Sequence, residues 1–251
     1  MPAYVPEYLK SKNRQTVFNM FVKNMTLSRA QIVQETEMSF PTVSKAVDFL
    51  ISRDIVRESK ETSLPAKGPG RRRNQLVFNP AAFYALTLAF EGSSVEIGIA
   101  DLAGGILRFE TRPFANFTEK EKYDELADYL QAVLAELSSP LLGIGIALPV
   151  DVDSDTGRII SAFNISGNDC QCVEENFRYL ADKLGLACFI GNDVNLACRG
   201  ENFARHCGEN KENLCFLTLG SGFGAGMLLH GQLWTGAGAH SGEIGHILMQ
   251  P

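Results

Sequence analysis

The sequence predicts two modules, a small helical module at residues 1–80 and a larger α/β domain after it. Hydrophobic residues repeat with helical spacing as far as Ile51, whereas from Phe83 onwards they alternate as they do in strands. Residues 1–79 carry 13 Lys/Arg and 7 Asp/Glu, a net charge of +6; residues 80–251 carry 10 and 22, a net charge of −12. This split favours two modules with different partners, a polyanion for the basic one, although a solvated basic face without a ligand explains the charge equally well.

The composition is that of a globular protein, with 45% hydrophobic and 21% charged residues among 251. No apolar run approaches the roughly 20 residues of a membrane helix. The first 15 residues lack the apolar stretch of a secretory signal, so we expect a cytoplasmic protein. In that compartment the cysteines stay reduced; they are Cys170, Cys172, Cys188, Cys198, Cys207 and Cys215.

Three helices are predicted in the first module. The second opens at Ser28, whose spacing to Gln31 is that of a capping box. The third has Ser39 as N-cap and Pro41 in its first turn, where a missing N–H costs little. Residues expected on the buried faces of the first and third helices are Val17, Phe18, Phe21, Val22, Val43, Val47, Leu50 and Ile51.

The third helix and the segment after it predict a winged helix-turn-helix. Small polar residues and a lysine lie opposite the buried stripe near the helix N-terminus, where they can approach base edges in the major groove. Two strand-like runs then flank a basic, glycine-rich tip suited to the minor groove. A protein-interaction bundle with a basic loop is the alternative. The predicted DNA-contacting residues are Pro41, Thr42, Ser44, Lys45, Lys67, Arg71, Arg72 and Arg73.

The second module is predicted to begin with three antiparallel strands, "YALTLAF", "VEIGIAD" and "ILRFETRPF". A helix capped by Thr118, the strand "LLGIGIALPV" buried on both faces, a helix and the strand "LACFIGND" follow. The pattern then restarts, and Leu-Thr-Leu at residues 86–88 recurs at residues 217–219. We therefore expect two similar lobes, residues 81–190 and 191–251, with a ligand cleft between them.

Asn192 and Asp193 are predicted to face this cleft, because they follow a buried strand at its carboxyl end. An amide beside a carboxylate can hold adjacent hydroxyl groups, and the carboxylate can accept a hydroxyl proton during phosphoryl transfer. The alternative is that Asp193 merely caps the next helix.

Two glycine-rich stretches extend the candidate site. Gly220, Gly222 and Gly224 are predicted to expose backbone N–H groups to phosphate, although ordinary hairpin turns explain alternate glycines equally well. Glu243 and His246 are three residues apart, so on a helical turn they project together and can hold neighbouring hydroxyls. His246 is also a potential zinc ligand, but a zinc site needs four ligands, and a lone helical histidine is usually structural.

Taken in order, these motifs resemble the ROK family of repressors, open reading frames and kinases. The matching segments are "GIGIALPVDVDSDTGRI", "GNDVNLACRGE" and "LTLGSGFGAGMLLHGQLWTGAGAHSGEIGH", preceded by "GRRRNQLVFNP". The resemblance implies an actin-like, ribonuclease H-like fold of the sugar-kinase type. It also implies that Asn192, Asp193, Glu243 and His246 contact sugar, that Asp193 matches the kinases' catalytic base, that residues 220–226 match the second phosphate loop, and that His246 matches the first zinc ligand.

The chain departs from the family pattern at three places. It has Glu91-Gly92-Ser93-Ser94 where kinases have Asp-x-Gly-Gly-Thr, which argues against ATP binding and kinase activity. It has Leu148 where a small residue is expected beside the sugar. Family members continue into a cysteine cluster after Glu-x-Gly-His, so we expect a truncated product with an incomplete second lobe, no cofactor of its own, and zinc only if the missing ligands are supplied.

The leading hypothesis is a dimeric repressor of carbohydrate metabolism that binds a double-stranded DNA operator and responds to a sugar effector. The family carries such repressors with, and kinases without, the basic front module. Two alternatives stay open: a sugar kinase that retains a DNA-binding module, and a constitutive DNA-binding protein that has lost its effector.

Overall fold

The computed structural model describes residues 6–59, 75–115, 117–153, 156–161, 169–206, 213–220 and 222–246. The chain divides into two compact units, Met1–Phe83 and Tyr84–Pro251. The predicted DNA contacts Lys67, Arg71, Arg72 and Arg73 lie outside the described residues. Across those ranges, no helix has the length and apolar character that a membrane crossing requires.

The described residues of the first unit form three α-helices, three short strands and a 3-10 turn at Pro80–Ala82. In chain order they are α1 (Pro6–Asn24), β1 (Thr26–Leu27), α2 (Arg29–Thr36), α3 (Phe40–Ser52), β2 (Val56–Glu58) and β3 (Leu76–Phe78). The strands form an antiparallel sheet in the order β1-β3-β2. The three predicted helices and the two predicted strands are confirmed, whereas β1 was missed because two residues are too short to show a period.

The core of the first unit is built from the predicted helical stripes. Val17, Phe21, Val43 and Val47 are completely buried. The rings of Phe18 and Phe78 meet edge to face, with 5.8 Å between ring centroids, which joins α1 to the sheet.

The start of α2 carries the predicted capping box. The Ser28 hydroxyl accepts a hydrogen bond from the Gln31 N–H (3.3 Å), and the Gln31 side-chain oxygen accepts one from the Ser28 N–H (2.9 Å). The neighbouring Arg29 bridges Asp48 of α3 (3.0 Å) and Glu58 of β2 (3.2 Å). These contacts fix α2 against α3 and the sheet.

The second unit begins with a five-stranded mixed sheet. From Tyr84 to Asn192 the elements of the unit are β4 (Tyr84–Glu91), β5 (Ser94–Asp101), β6 (Ile106–Pro113), α4 (Lys120–Leu134), β7 (Leu141–Leu148), β8 (Asp151–Val152), β9 (Ile159–Ser161), α5 (Cys170–Leu184) and β10 (Cys188–Asn192). Strands β8 and β9 pair with each other in a separate antiparallel sheet. The strand order is β10-β7-β4-β5-β6, in which β10, β7 and β4 are parallel and β5 and β6 antiparallel. The predicted meander and α/β layer are confirmed.

Helices α4 and α5 pack on one face of this sheet. Tyr123 and Phe177, both fully buried, share a hydrophobic cluster with Leu86, Ile97 and Ile144 of the strands. The Tyr123 hydroxyl donates to the Phe117 carbonyl oxygen (2.9 Å), so the polar end of this core residue is satisfied.

Three local predictions were wrong. The first residue of α4 is Lys120 and its N-cap is Glu119, so Thr118 does not cap the helix. Strand β7 is buried on one face only, since Gly143, Gly145 and Ala147 alternate with its three buried residues. Leu148 is one of those three; its side chain is fully buried in the core with residues of α4 and α5, so it does not line an accessible surface.

The chain then forms α6 (Asp193–His206), β11 (Leu214–Leu219), β12 (Phe223–Leu229) and β13 (Gln232–Leu233), followed by 3-10 turns at Ala237–Ala239 and Ile244–His246. The strands form a second antiparallel sheet, β11-β12-β13, and α6 packs on it. The repeated Leu-Thr-Leu motif occupies β4 and β11, but Leu86 is buried whereas Leu217 is 58% exposed.

Replacing Ser28 by alanine removes the cap of α2, so we expect Ser28→Ala to lower the free energy of unfolding of the first unit by about 1 kcal/mol. Urea denaturation measures this loss, and amide hydrogen exchange monitors the opening of α2. Ser52→Ala is the control, because Ser52 lies exposed at the end of α3. Equal effects of the two substitutions would show that the capping box contributes nothing of its own.

Candidate functional site

The first candidate surface is the start of α3. Pro41 and Lys45 are exposed, and Thr42 and Ser44 are half-buried. The Ser39 hydroxyl caps the helix by accepting from the Thr42 N–H (3.4 Å), and the two hydroxyls lie 2.8 Å apart. The four predicted residues thus share one accessible helix turn. The opposite face of the helix is buried and fixes this turn to the rest of the unit; its residues include Val43, Ala46 and Val47.

Sequence reasoning missed Phe40, the first residue of α3. Its side chain is 57% exposed beside Pro41. An aromatic residue at a helix N-terminus gives no periodic signal, because its exposure depends on where the N-cap falls. Its position adds an apolar group to an otherwise polar surface.

The second candidate site forms where β10 runs into α6. The Asn192 amide nitrogen donates to the Val150 carbonyl oxygen (3.1 Å), and its side-chain oxygen accepts from the Asn195 N–H (2.9 Å). Asn192 therefore fixes the loop after β7 to the first turn of α6. This use of the amide leaves one N–H and one lone pair for a ligand.

Asp193 is the first residue of α6 and is half-buried. Its carboxylate accepts from the Val194 N–H (2.8 Å). Burial raises the pKa of the Asp193 carboxyl above its ordinary value, and the negative charges of Glu91 and Glu243 raise it further, whereas the backbone hydrogen bonds lower it. A carboxylate that is held by a helix N-terminus and has a raised pKa is suited to accepting a hydroxyl hydrogen bond or proton.

Glu243 reaches this site because two glycines let its segment lie directly on β12. A Cβ on Gly242 would lie 1.7 Å from the Ala225 carbonyl oxygen, and one on Gly245 would lie 2.5 Å from that of Phe223. Gly242 also has φ +94°, and its carbonyl oxygen accepts from the Ala225 N–H (2.9 Å). No other residue type fits at these two positions without moving the strand.

The helical turn predicted for Glu243 and His246 was only partly right. Ile244–His246 is a single 3-10 turn, and Glu243 precedes it. The backbone of His246 closes that turn, and its side chain lies outside the described residues. Among the side chains that the structure describes, no three of the His, Cys, Asp or Glu type are grouped so as to hold a metal ion.

The predicted glycine loop is shorter than the sequence indicates. Gly220 and Gly222 form the turn between β11 and β12, where the Gly220 N–H donates to the Gly222 carbonyl oxygen (2.9 Å). Gly224 lies within β12, where an added Cβ would lie 3.4 Å from the Val194 side chain. At Gly226 that Cβ would meet Cys198 at 2.7 Å. The last two glycines therefore allow α6 to pack on the strand, and only the first two face a loop.

Two further contributions were missed. Glu91, at the end of β4, lies close enough to Asp193 to affect its pKa, although strand periodicity gives no sign of this. The Nδ1 atom of His240 lies 3.5 Å from Oδ2 of Asp151, and this contact joins the segment that carries Glu243 to β8. Both pairs come from elements far apart in the sequence, so no spacing rule finds them.

Nearly all of the second unit matches the model of a protein family. The profile described as the ROK family matches residues 88–251. This chain belongs to the ROK family. The matched range begins in β4 and includes Glu91, Asp193 and Glu243.

Two curated relatives resemble nearly all of the chain. The xylose repressor of Bacillus subtilis (strain 168) is 26% identical over 243 residues, which are 96% of this chain and 61% of the relative. The DNA-binding transcriptional dual regulator NagC of Escherichia coli (strain K12) is 25% identical over 249 residues, 98% of this chain and 59% of the relative. The chain therefore spans about three fifths of the length of these relatives.

Solved structures show the same fold. A ROK family transcriptional regulator, a homologue of the E. coli MLC protein, superimposes with a TM-score of 0.78 over 97% of this chain and 61% of its own, at 21% identity. The ROK hexokinase of Thermus thermophilus superimposes with a TM-score of 0.53 over 67% of this chain and 54% of its own, at 25% identity. The α/β unit is thus of the sugar-kinase type, as predicted.

We expect Gly242→Ala to destabilise the second unit by at least ~2 kcal/mol, because the new methyl group overlaps a strand carbonyl in a left-handed backbone conformation. Gly222→Ala is the matched control, since nothing lies within 4 Å of its Cβ position. Unfolding followed by the fluorescence of Trp234, the single tryptophan, measures both. Similar midpoints for the two variants would contradict the packing described above.

We expect Glu243→Gln to lower the pKa of Asp193, because it removes one of the negative charges that raise it. An acid whose pKa is raised on folding stabilises the fold when protonated, and that contribution is lost as the pH rises through the folded-state pKa. Carboxyl carbon NMR titration measures the pKa of Asp193. Glu121→Gln, an equal charge change on the exposed surface of α4, should leave it unchanged. An unchanged pKa in Glu243→Gln would show that the two groups do not interact.

Proposed function

We propose that this chain is part of a sequence-specific DNA-binding transcriptional repressor of carbohydrate metabolism, whose operator affinity responds to a sugar. The observation that carries the proposal is the accessible first turn of α3, in a unit with a net charge of +6, joined to an acidic ROK unit. The names of the relatives, a xylose repressor and the regulator NagC, support it.

The first unit is proposed to be a winged helix-turn-helix. Helices α2 and α3 supply the helix-turn-helix, and β2 and β3 flank the basic segment that would form the wing. In this arrangement Pro41, Thr42, Ser44 and Lys45 face the major groove. Phosphates are proposed to be neutralised by Lys67, Arg71, Arg72 and Arg73. The segment that carries these residues is slender and cationic, so we expect it to lie near the minor groove.

The second unit is proposed to bind the effector. Asp193 and Glu243 offer acceptors for hydroxyl hydrogen atoms, and Asn192 offers a remaining N–H donor. His246 completes the proposed set through the resemblance to sugar-binding relatives. It would serve as a zinc ligand only together with cysteines from outside this sequence.

Regulation is proposed to occur by population shift in a cytoplasmic homodimer. The sugar is proposed to bind one arrangement of the five-stranded sheet and the β11-β12-β13 sheet more tightly than another. The favoured arrangement sets the distance between the DNA-binding units of the two protomers, and therefore their fit to a two-fold symmetric operator. Coupling of this kind typically amounts to about 1–3 kcal/mol, which is a change in operator affinity of roughly 5- to 150-fold.

A second candidate function is a sugar kinase that also binds DNA. The raised pKa and helix N-terminal position of Asp193 favour it, since a kinase needs such a carboxylate near the reacting hydroxyl. Its neighbour Glu91 opposes it, because a carboxylate repels nucleotide phosphates. A coupled ADP-release assay over a panel of hexoses separates the two candidates. Turnover that disappears in Asp193→Asn would establish the kinase.

For the repressor, we expect neutralising Arg71, Arg72 and Arg73 together to weaken binding to a random 30-base-pair duplex. The slope of log affinity against log salt should become shallower by about 0.9 for each phosphate that the variant no longer neutralises. Lys23→Ala, in the last turn of α1, is the control for removal of a positive charge elsewhere in the unit. An unchanged salt slope in the triple variant would contradict the proposed wing.

A further inference from the structure

Two arginines of the first unit lie over one aromatic ring. The guanidinium carbon of Arg14, in α1, is 3.5 Å from the centroid of the Phe49 ring, and that of Arg53 is 5.4 Å from it. Phe49 belongs to α3, and Arg53 is the C-cap of that helix. A cation is attracted to the face of an aromatic ring, so Phe49 holds both side chains in place. We call Arg14 and Arg53 the arginine pair.

The carboxylates closest to the arginine pair in the sequence of α3 and its C-terminal turn bind other arginines. Asp48 pairs with Arg29 (3.0 Å), and Asp54 pairs with Arg57 (2.6 Å). Among the ion pairs between described residues, none includes a member of the arginine pair. Two positive charges held beside one ring repel each other, and an anion that binds both relieves this repulsion. The arginine pair is therefore suited to an anionic ligand.

The arginine pair extends the surface that is proposed to contact DNA. Thr42, Lys45 and Phe49 follow one another at intervals of three and four residues, so they lie along one side of α3. Lys45 and Arg53 are exposed, and Arg14 is half-buried. This side of α3 thus carries a hydroxyl, an ammonium and two guanidinium groups in order from its N-terminus. Groups that read bases need contacts to the DNA backbone beside them, because those contacts fix the register of the helix in the groove.

We infer that the arginine pair binds the phosphate backbone of double-stranded DNA and thereby fixes α3 in the major groove. This inference rests on the proposed repressor function and adds to it a phosphate site outside the wing. A guanidinium group presents its N–H donors in a plane that matches two phosphate oxygens, and it can stack on an aromatic ring at the same time. Because Phe49 already orients both groups, less side-chain freedom is lost when a phosphate binds.

The test measures binding of the full-length protein to a random 30-base-pair duplex by fluorescence anisotropy over a series of salt concentrations. Replacing both Arg14 and Arg53 by glutamine is expected to weaken binding at least roughly tenfold at about 50 mM salt. The slope of log affinity against log salt should become shallower by about 1.8, since each lost phosphate contact accounts for about 0.9.

The matched control replaces Lys12 and Lys23 by glutamine. It removes the same charge from the same unit, but these two exposed lysines lie on the side of α1 away from Arg14. The salt slope of this control should equal that of the wild type. A control that changes the slope as much as the double arginine variant overturns the inference, because net charge alone would then account for binding.

Two further variants test the site separately from net charge and from folding. Replacing both Arg14 and Arg53 by lysine keeps both charges but removes the planar groups over Phe49, so affinity should fall several-fold at an unchanged salt slope. Arg53→Gln alone alters an exposed side chain at the end of α3, where folding does not depend on it. Its slope should be shallower by about 0.9.

The outcomes separate the inference from the function on which it rests. A wild type that binds the duplex, with an unchanged slope in Arg53→Gln, overturns the phosphate site and leaves the repressor function standing. A wild type without affinity for the duplex at any salt concentration overturns both. Calorimetry with inorganic phosphate covers a free anion as the ligand. Saturable phosphate binding that the double glutamine variant loses, together with an unchanged DNA slope, would assign the arginine pair to a small anion and overturn its role on DNA.

Discussion

The candidate site depends on the close contact between the backbone around Gly242 and Gly245 and strand β12. The strand carbonyls of Ala225 and Phe223 occupy the space that side chains at these glycines would need. Gly226 of the same strand lets α6 approach, because a Cβ there would lie 2.7 Å from that of Cys198. Strand β12 thus holds both the helix that begins with Asp193 and the segment that carries Glu243. With larger residues in place of these glycines, Asp193 and Glu243 would not be held in fixed positions relative to each other.

Much of this arrangement is predictable from local sequence patterns. The helical stripes, the capping box at Ser28 and the antiparallel meander of β4, β5 and β6 follow from periodicity and spacing within short stretches of the sequence. The position of Asp193 after a buried strand is predictable for the same reason, because the carboxyl ends of parallel strands meet at one edge.

The errors arose where the answer depends on a second segment. Leu148 was expected beside the sugar, but the pleat of β7 turns it towards α4 and α5. Gly224 was grouped with a loop, although the strand reaches that residue and a helix packs against it. The proximity of Glu91 to Asp193 depends on how two hairpins meet. Such contacts follow from tertiary packing, which no single stretch of sequence specifies.

The distribution of charge connects the two proposed activities. The first unit has a net charge of +6 and an accessible turn at α3, which suit a polyanion. In the acidic unit, the Asp193 carboxylate follows the Asn192 amide, which Val150 holds in place, and an amide beside a carboxylate suits a neutral polyol. A chain with both surfaces can link the two ligands only if each prefers a different population of the same protein. Binding of DNA and binding of sugar are therefore proposed to be coupled in free energy.

Thermodynamic linkage tests this coupling most directly, because a sugar that weakens operator binding must itself bind more weakly to the operator complex by the same factor. The measurement is the sugar dissociation constant of the full-length protein by calorimetry, with and without saturating operator DNA selected from a random pool. We predict that DNA weakens sugar binding by roughly 5- to 150-fold, in agreement with the effect of sugar on DNA affinity. Identical sugar affinities in the presence and absence of DNA would contradict the account.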